Sequence, residues 1–180
     1  MTEPANITGI EKATNRSWDE WVAFLGGIGA ESLSHTEIAK RVHDKLKGRE
    51  SSSWWAQSIT VAYEQHIGRR KPGQDSDGYF RVSVTRSVSG TMDQAMRSWT
   101  RKAAGRSEFA DVTIAKAPTT SATDKRRHWG CGLSDGSRIS VDVNEKPPGK
   151  AVVAVTHTKL DSQEAVERWR SYWKAMLSSL

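Results

Sequence analysis

The 180-residue chain has a single cysteine, Cys131. One thiol excludes an intrachain disulfide and any zinc site built on the cysteines of one chain. No stretch approaches the ~18 apolar residues that a membrane-spanning helix requires, so no membrane span is expected. Met1-Thr2-Glu3-Pro4 offers neither the basic start nor the apolar run of a secretion signal. A cytoplasmic protein is the simplest expectation. The five histidines, His35, His43, His66, His128 and His157, form no HExxH pair. Metal binding is therefore unsupported. Gly26-Gly27-Ile28-Gly29 follows a helical segment rather than a strand, so it reads as a connector and not as a phosphate loop. Spacing assigns no Ser-His-Asp set, and no residue combination argues for an enzyme or for a cofactor. Hydrophobic residues are only 36% of the chain, but eight tryptophans supply large apolar areas for a core.

Charge is unevenly placed. Residues 1–78 hold 10 Lys/Arg against 11 Asp/Glu, and residues 79–180 hold 17 against 10. The balances of −1 and +7 make up the net +6. Affinity for an anionic partner would therefore sit mainly in the second half.

Periodicity changes at the same place. Ser17-Trp18-Asp19-Glu20 and Ser34-His35-Thr36-Glu37 are capping boxes. The first opens a short helix with Trp18, Trp21, Val22 and Leu25, and the second a helix with Ile38, Val42 and Leu46. Ser53 is expected to cap a third helix, from Trp54 to Ile67, with Trp55, Ile59, Ala62 and Tyr63 on one side. Trp54 and Trp55 must face different ways, one toward the core and the other toward the second domain or a partner. Residues 1–68 thus read as a three-helix domain. Residues 69–78 are polar and rich in helix breakers, so they read as a linker.

From Phe80 the period becomes two. Phe80, Val82, Val84 and Val88 alternate with polar residues, as do Trp129, Cys131 and Leu133, then Ile139, Val141 and Val143. A short helix is expected over Met92–Lys102, a strand start at Val112 and Ile114, and a last strand over Ala151–His157. Ser134-Asp135-Gly136-Ser137 is a hairpin turn, and Pro147-Pro148-Gly149 predicts another. Asp161 or Ser162 opens a long amphipathic helix with Trp169, Trp173, Met176 and Leu177 on its apolar stripe. The fold class is α+β: an N-terminal three-helix domain, then a curved antiparallel sheet packed on a long C-terminal helix over residues 79–180.

The ending carries a resemblance. Val155-Thr156-His157-Thr158-Lys159-Leu160, followed by Glu164-Ala165-Val166-Glu167-Arg168-Trp169-Arg170-Ser171-Tyr172-Trp173-Lys174, resembles the C-terminal signature of the START-like (SRPBCC) superfamily. Within it, the similarity is to the branch named after activators of the heat-shock chaperone ATPase. The resemblance implies a helix-grip fold, in which a sheet wraps a long helix and often encloses a hydrophobic cavity. It supplies no catalytic residues. The stretch from Thr100 to Asp111 is short for that fold, so a shortened helix-grip domain is expected. Trp18-Asp19-Glu20-Trp21, Ile38-Ala39-Lys40-Arg41-Val42 and Trp54-Trp55-Ala56-Gln57 resemble a small bacterial helical domain of unknown function.

Two candidate sites follow. Inward-facing Trp129, Val141 and Val153, with Trp169 and Trp173 from the helix, line a pocket for a small hydrophobic ligand or simply fill the core. Arg86 and His157 share the parity of these apolar positions, and either suits a ligand carboxylate or hydroxyl. A protein partner is the other occupant considered for such a noncatalytic binding domain. The second site would be a nucleic-acid surface made by Arg97, Arg101, Lys102, Arg106, Lys125, Arg126 and Arg127. Cys131, inward by parity, reads as a packed small hydrophobe.

Overall fold

The computed structural model describes residues 5–146 and 149–180. The chain divides into two units, Met1–Gly78 and Tyr79–Leu180. The expected turn at Pro147-Pro148 and the first four residues lie outside the described residues.

Among its described residues the first unit holds four α-helices: α1 (Ile7–Thr14), α2 (Trp18–Gly27), α3 (His35–Lys45) and α4 (Ser52–His66). Helix α1 adds to the three that the sequence predicts. Both capping boxes form, with Ser17 and Ser34 each accepting from the amide of the glutamate three residues on. The start of α4 differs from expectation. Ser53 lies inside the helix, and the N-cap is Ser51, left-handed at φ 55° and without a side-chain cap bond. Ile10, Trp21, Leu25, Ile38, Val42, Ile59 and Tyr63 form the core. Trp21 Nε1 donates to Thr14 Oγ1 at 3.0 Å, and Thr14 Oγ1 donates to the Ile10 carbonyl at 2.8 Å. The buried indole N–H is thereby satisfied, as burial requires.

A carboxylate sits inside this unit. Glu64 is buried on α4, with Arg69 Nη2 at 2.7 Å, Arg70 Nε at 2.8 Å and His35 Nδ1 at 3.0 Å. Arg69 Nη1 also donates to the Leu33 carbonyl at 2.8 Å. The segment read as a linker therefore begins with two side chains folded back onto the first unit.

The second unit is a six-stranded antiparallel sheet with two helices. Its strands are β1 (Phe80–Ser89), β2 (Glu108–Phe109), β3 (Val112–Thr123), β4 (Arg126–Leu133), β5 (Arg138–Lys146) and β6 (Lys150–Leu160). They lie in the order β1-β6-β5-β4-β3-β2. Helix α5 (Met92–Ala103) follows β1, and α6 (Gln163–Ser178) closes the chain. Alternation sets the faces: Val82, Trp129, Cys131, Ile139, Val141, Val153 and Val155 are buried on the inner one. The sheet curls so that α6 packs across this face. Ser162 caps α6 by accepting from the Ala165 amide. Val166, Trp169, Trp173, Met176 and Leu177 face the sheet, each burial contributing ~2 kcal/mol.

Strand β3 extends far beyond the expected Val112–Ile114 start. Its outer part is exposed on both faces, so it carries no period-two signal. Only Glu108 and Phe109 pair on its far side. Pro118 and Lys116 lie on this edge, a proline and a charge that oppose further strand addition.

Removing the carboxylate in Glu64→Ala leaves the two guanidinium groups without their buried counterion. The expected loss is ~3 kcal/mol in the transition of the first unit, read by urea denaturation. An unchanged midpoint would show that the cluster adds nothing to stability.

Candidate functional site

The interior between sheet and helix is an aromatic cluster. Trp169 and Trp173 stack at 5.5 Å with 15° between their planes. Trp99 meets Trp129 edge-on at 5.4 Å, and Phe109 lies 5.5 Å from Trp173. Trp129, Val141, Val153, His157, Trp169 and Trp173, the residues expected to line a pocket, are all at most 3% exposed. The structure brings them together, and they touch one another.

His157 is wholly buried and sits in a chain of donors whose direction is determined by its ends. Asp135 Oδ1 accepts from the Ser137 amide at 2.9 Å and from Ser137 Oγ at 2.6 Å. Ser137 Oγ has spent its proton there, so its contact with His157 Nε2 at 2.8 Å requires the imidazole to donate. Nδ1 is then the acceptor for Trp173 Nε1 at 3.4 Å. The ring is neutral, and burial pushes its pKa down to about 4. Aspartate, serine and histidine thus meet, but not as a nucleophile set. A serine nucleophile gives its proton to the imidazole. Here the hydroxyl donates to the carboxylate, and the acceptor nitrogen of the ring is taken by an indole. The network ties α6 to the sheet. Its sequence signal is Ser137, two residues after Asp135 in the hairpin turn.

Arg86 occupies a different place. It is half-buried opposite Val153, and its Nη1 donates to the Leu177 carbonyl at 2.9 Å. A cavity of about 440 Å³ opens beside it, lined by Arg86 and Val88 of β1, Gln94 and Ser98 of α5, Val153, and Leu180. Its volume is within the range of small-molecule sites, roughly 300–1,000 Å³. Of the sequence-predicted ligand residues, Arg86 and Val153 line this cavity.

A second cavity lies in the first unit. It measures about 360 Å³ and is framed by Ile10, Trp54, Trp55, Ser58 and Val61. Trp55 is half-buried, whereas Trp54 is 62% exposed and meets it edge-on at 4.4 Å.

The basic residues do not act as one free set. Arg127 pairs with Asp93 through Nε at 2.6 Å and Nη2 at 3.3 Å, and Arg126 Nε lies 3.1 Å from Asp142. Lys102 donates to Ser179, and Arg106 Nε donates to the Lys102 carbonyl at 3.1 Å. Arg97, Arg101 and Lys125 are exposed. Arg126 and Arg127 thus already have carboxylate counterions, which a phosphate would have to displace. Cys131 is buried, and its thiol pKa is pushed up to about 11 by that burial.

No protein-family model matches the chain, and no curated protein matches it significantly.

Two outcomes follow from these environments. The unfolded chain protonates His157 near its ordinary pKa of 6.5, while the folded chain resists until about 4. Stability is therefore complete above pH 6.5 and falls as the pH drops toward 4, by ~1.4 kcal/mol per unit and ~3 kcal/mol in all. Denaturant midpoints measured at pH 7, 5.5 and 4.5 should show this fall, and His157→Gln should flatten it. Equal slopes in the two proteins would show that His157 does not titrate on unfolding. At pH 8, iodoacetamide should label Cys131 slowly in native protein and rapidly in urea, because thiolate is the reacting form.

Proposed function

We propose that the protein is a noncatalytic binding protein whose second unit is a START-like helix-grip domain. Its ligand is a small amphipathic molecule with an anionic end. The curled antiparallel sheet with a helix across its inner face supports the fold assignment. One observation carries the functional reading: the cavity beside Arg86 joins a mixed wall, with polar Ser87, Ser89, Gln94 and Ser98 among hydrocarbon, to a single half-buried guanidinium. Val88, Ala95, Val153 and Leu180 present hydrocarbon, and Arg86 presents a charge held in place by the Leu177 carbonyl. An apolar body with a carboxylate head matches both. The deep interior is occupied by indole rings, so the ligand belongs at the rim of the grip rather than at its centre.

Decanoate is a suitable probe, with decanol as its uncharged counterpart. Calorimetric titration should give saturable binding of decanoate and at least tenfold weaker binding of decanol, the worth of one charged hydrogen bond. Ser98→Leu fills the cavity without touching Arg86 and should abolish binding. Binding that persists in Ser98→Leu but is lost in Trp54→Ala would place the ligand in the apolar cavity of the first unit instead. No heat with either probe would remove the reading.

A further inference from the structure

The outer face of the sheet carries a feature that the binding reading does not use. Register aligns its residues in rows across the strands. One row runs Lys116, Gly132, Arg138, Thr158, and the next runs Thr119, Gly130, Ser140, Thr156. In the third row Ser121, His128 and Asp142 stand side by side. Two adjacent rows thus have glycine at their second position, where every other strand presents a side chain.

The missing side chains leave a hollow of about 460 Å³ whose floor is Gly130 and Gly132. The neighbours lean over that floor. A Cβ placed on Gly132 would lie 3.3–3.4 Å from three carbons of the Lys116 side chain, so the lysine stem lies over the glycine. A Cβ on Gly130 would lie 3.2 Å from His128 Nε2, so the imidazole covers that glycine. The other ring nitrogen, Nδ1, is 2.8 Å from Asp142 Oδ1, and Arg126 Nε is 3.1 Å from the same oxygen. Asp142 therefore orients the ring and is itself neutralised. Strand β3 shifts register twice here, between Ile114 and Lys116 and between Lys116 and Thr119. The shifts set Lys116 and Thr119 against consecutive glycines.

The chemistry of the walls is one-sided. Lys116 and Arg138 flank Gly132 from the two neighbouring strands, about 10 Å apart at the backbone. Among the described residues neither has an ion pair, and no acidic side chain lines the hollow. Thr119 and Ser140 flank Gly130 with hydroxyls. Two cations without counterions at the edge of one polar hollow repel each other, and an anion between them would offset that repulsion. We propose that this hollow binds the phosphate group of a small phosphorylated molecule, or free phosphate, with Lys116 and Arg138 as the charged clamp. The hydroxyls of Thr119 and Ser140 take the remaining oxygens. The site is separate from the Arg86 cavity, which faces the inner side of the sheet, so either reading can fail without the other.

The test is a titration of ¹⁵N-labelled full-length protein with inorganic phosphate and, in parallel, with methyl phosphate, at ionic strength held constant with sodium chloride. The expected result is a saturable shift of the Gly130 and Gly132 amide signals. Arg138→Gln and Lys116→Gln should each weaken binding about tenfold. Gly132→Ala keeps every charge and displaces the lysine stem, so it should weaken binding as well; unperturbed distant signals in its spectrum report intact folding. Equal affinity for the two probes would mean that the hollow reads the phosphate alone, and tighter methyl phosphate binding would mean that it also holds the esterified part. Shifts linear in phosphate, shifts reproduced by chloride, or affinity unchanged in Arg138→Gln and Gly132→Ala would overturn the proposal.

Discussion

The indole N–H of Trp173 lies at the centre of an apolar core, and the acceptor it finds is a ring nitrogen of His157. Much of the second unit depends on that pairing. An imidazole can accept from an indole only while neutral, and its other nitrogen must then find an acceptor of its own. Ser137 supplies one because its hydroxyl proton is held by Asp135 in the β4–β5 turn. A hairpin turn, the last strand and the last helix are thereby joined through four side chains with one consistent direction of donation. Apolar burial alone would hold α6 against the sheet without fixing its rotation. Four polar groups in sequence require one angle and one depth. Trp99 Nε1, in the same core, is buried without an acceptor, which costs ~1–3 kcal/mol. The contrast shows what the chain through His157 avoids.

The first unit solves a related problem with charge. Its three main core helices are short, and a small core stabilises little. Glu64 draws His35 from the start of α3 and Arg69 and Arg70 from beyond α4 onto one buried carboxylate. The gain is less in free energy than in placement, since a buried charge tolerates few arrangements of its partners. Helix α4 ends at the left-handed Gly68, φ 72°, and the Arg70 amide donates back to the Glu64 carbonyl at 3.0 Å, which turns the two arginines toward the carboxylate.

How much of this was legible follows from period and exposure. Strands β1, β4 and β5 show alternation because one face of each is buried, and both capping boxes of α2 and α3 can be read from three-residue spacing. Helix α1 is short and has one buried apolar residue, Ile10, so it leaves little pattern. Most of β3 is exposed on both faces and reads as a polar loop. The box Thr91–Gln94 that caps α5 had the right spacing and could have been found. Inward parity correctly marked His157 and Arg86 as polar groups on an apolar face. Their partners, Ser137 and the Leu177 carbonyl, depend on register and on the terminus of a distant helix, which no local pattern reports.

The two faces of the sheet divide the possible work. On the inner face, large aromatic and aliphatic side chains and one neutral imidazole pack together, and a group that already has its partner has little left for a ligand. The two places proposed for ligands therefore lie where packing is incomplete. One is the rim, where β1 runs past α5 and Arg86 meets a helix end instead of a carboxylate. The other is the outer face, where Gly132 leaves no side chain on the strand between Lys116 and Arg138. Both places share a cause: a cation whose local partners are a carbonyl, a hydroxyl or a gap. In a unit with 17 Lys/Arg against 10 Asp/Glu, cations outnumber the carboxylates available to them, and the anionic groups proposed for both places would supply the missing counter-charge.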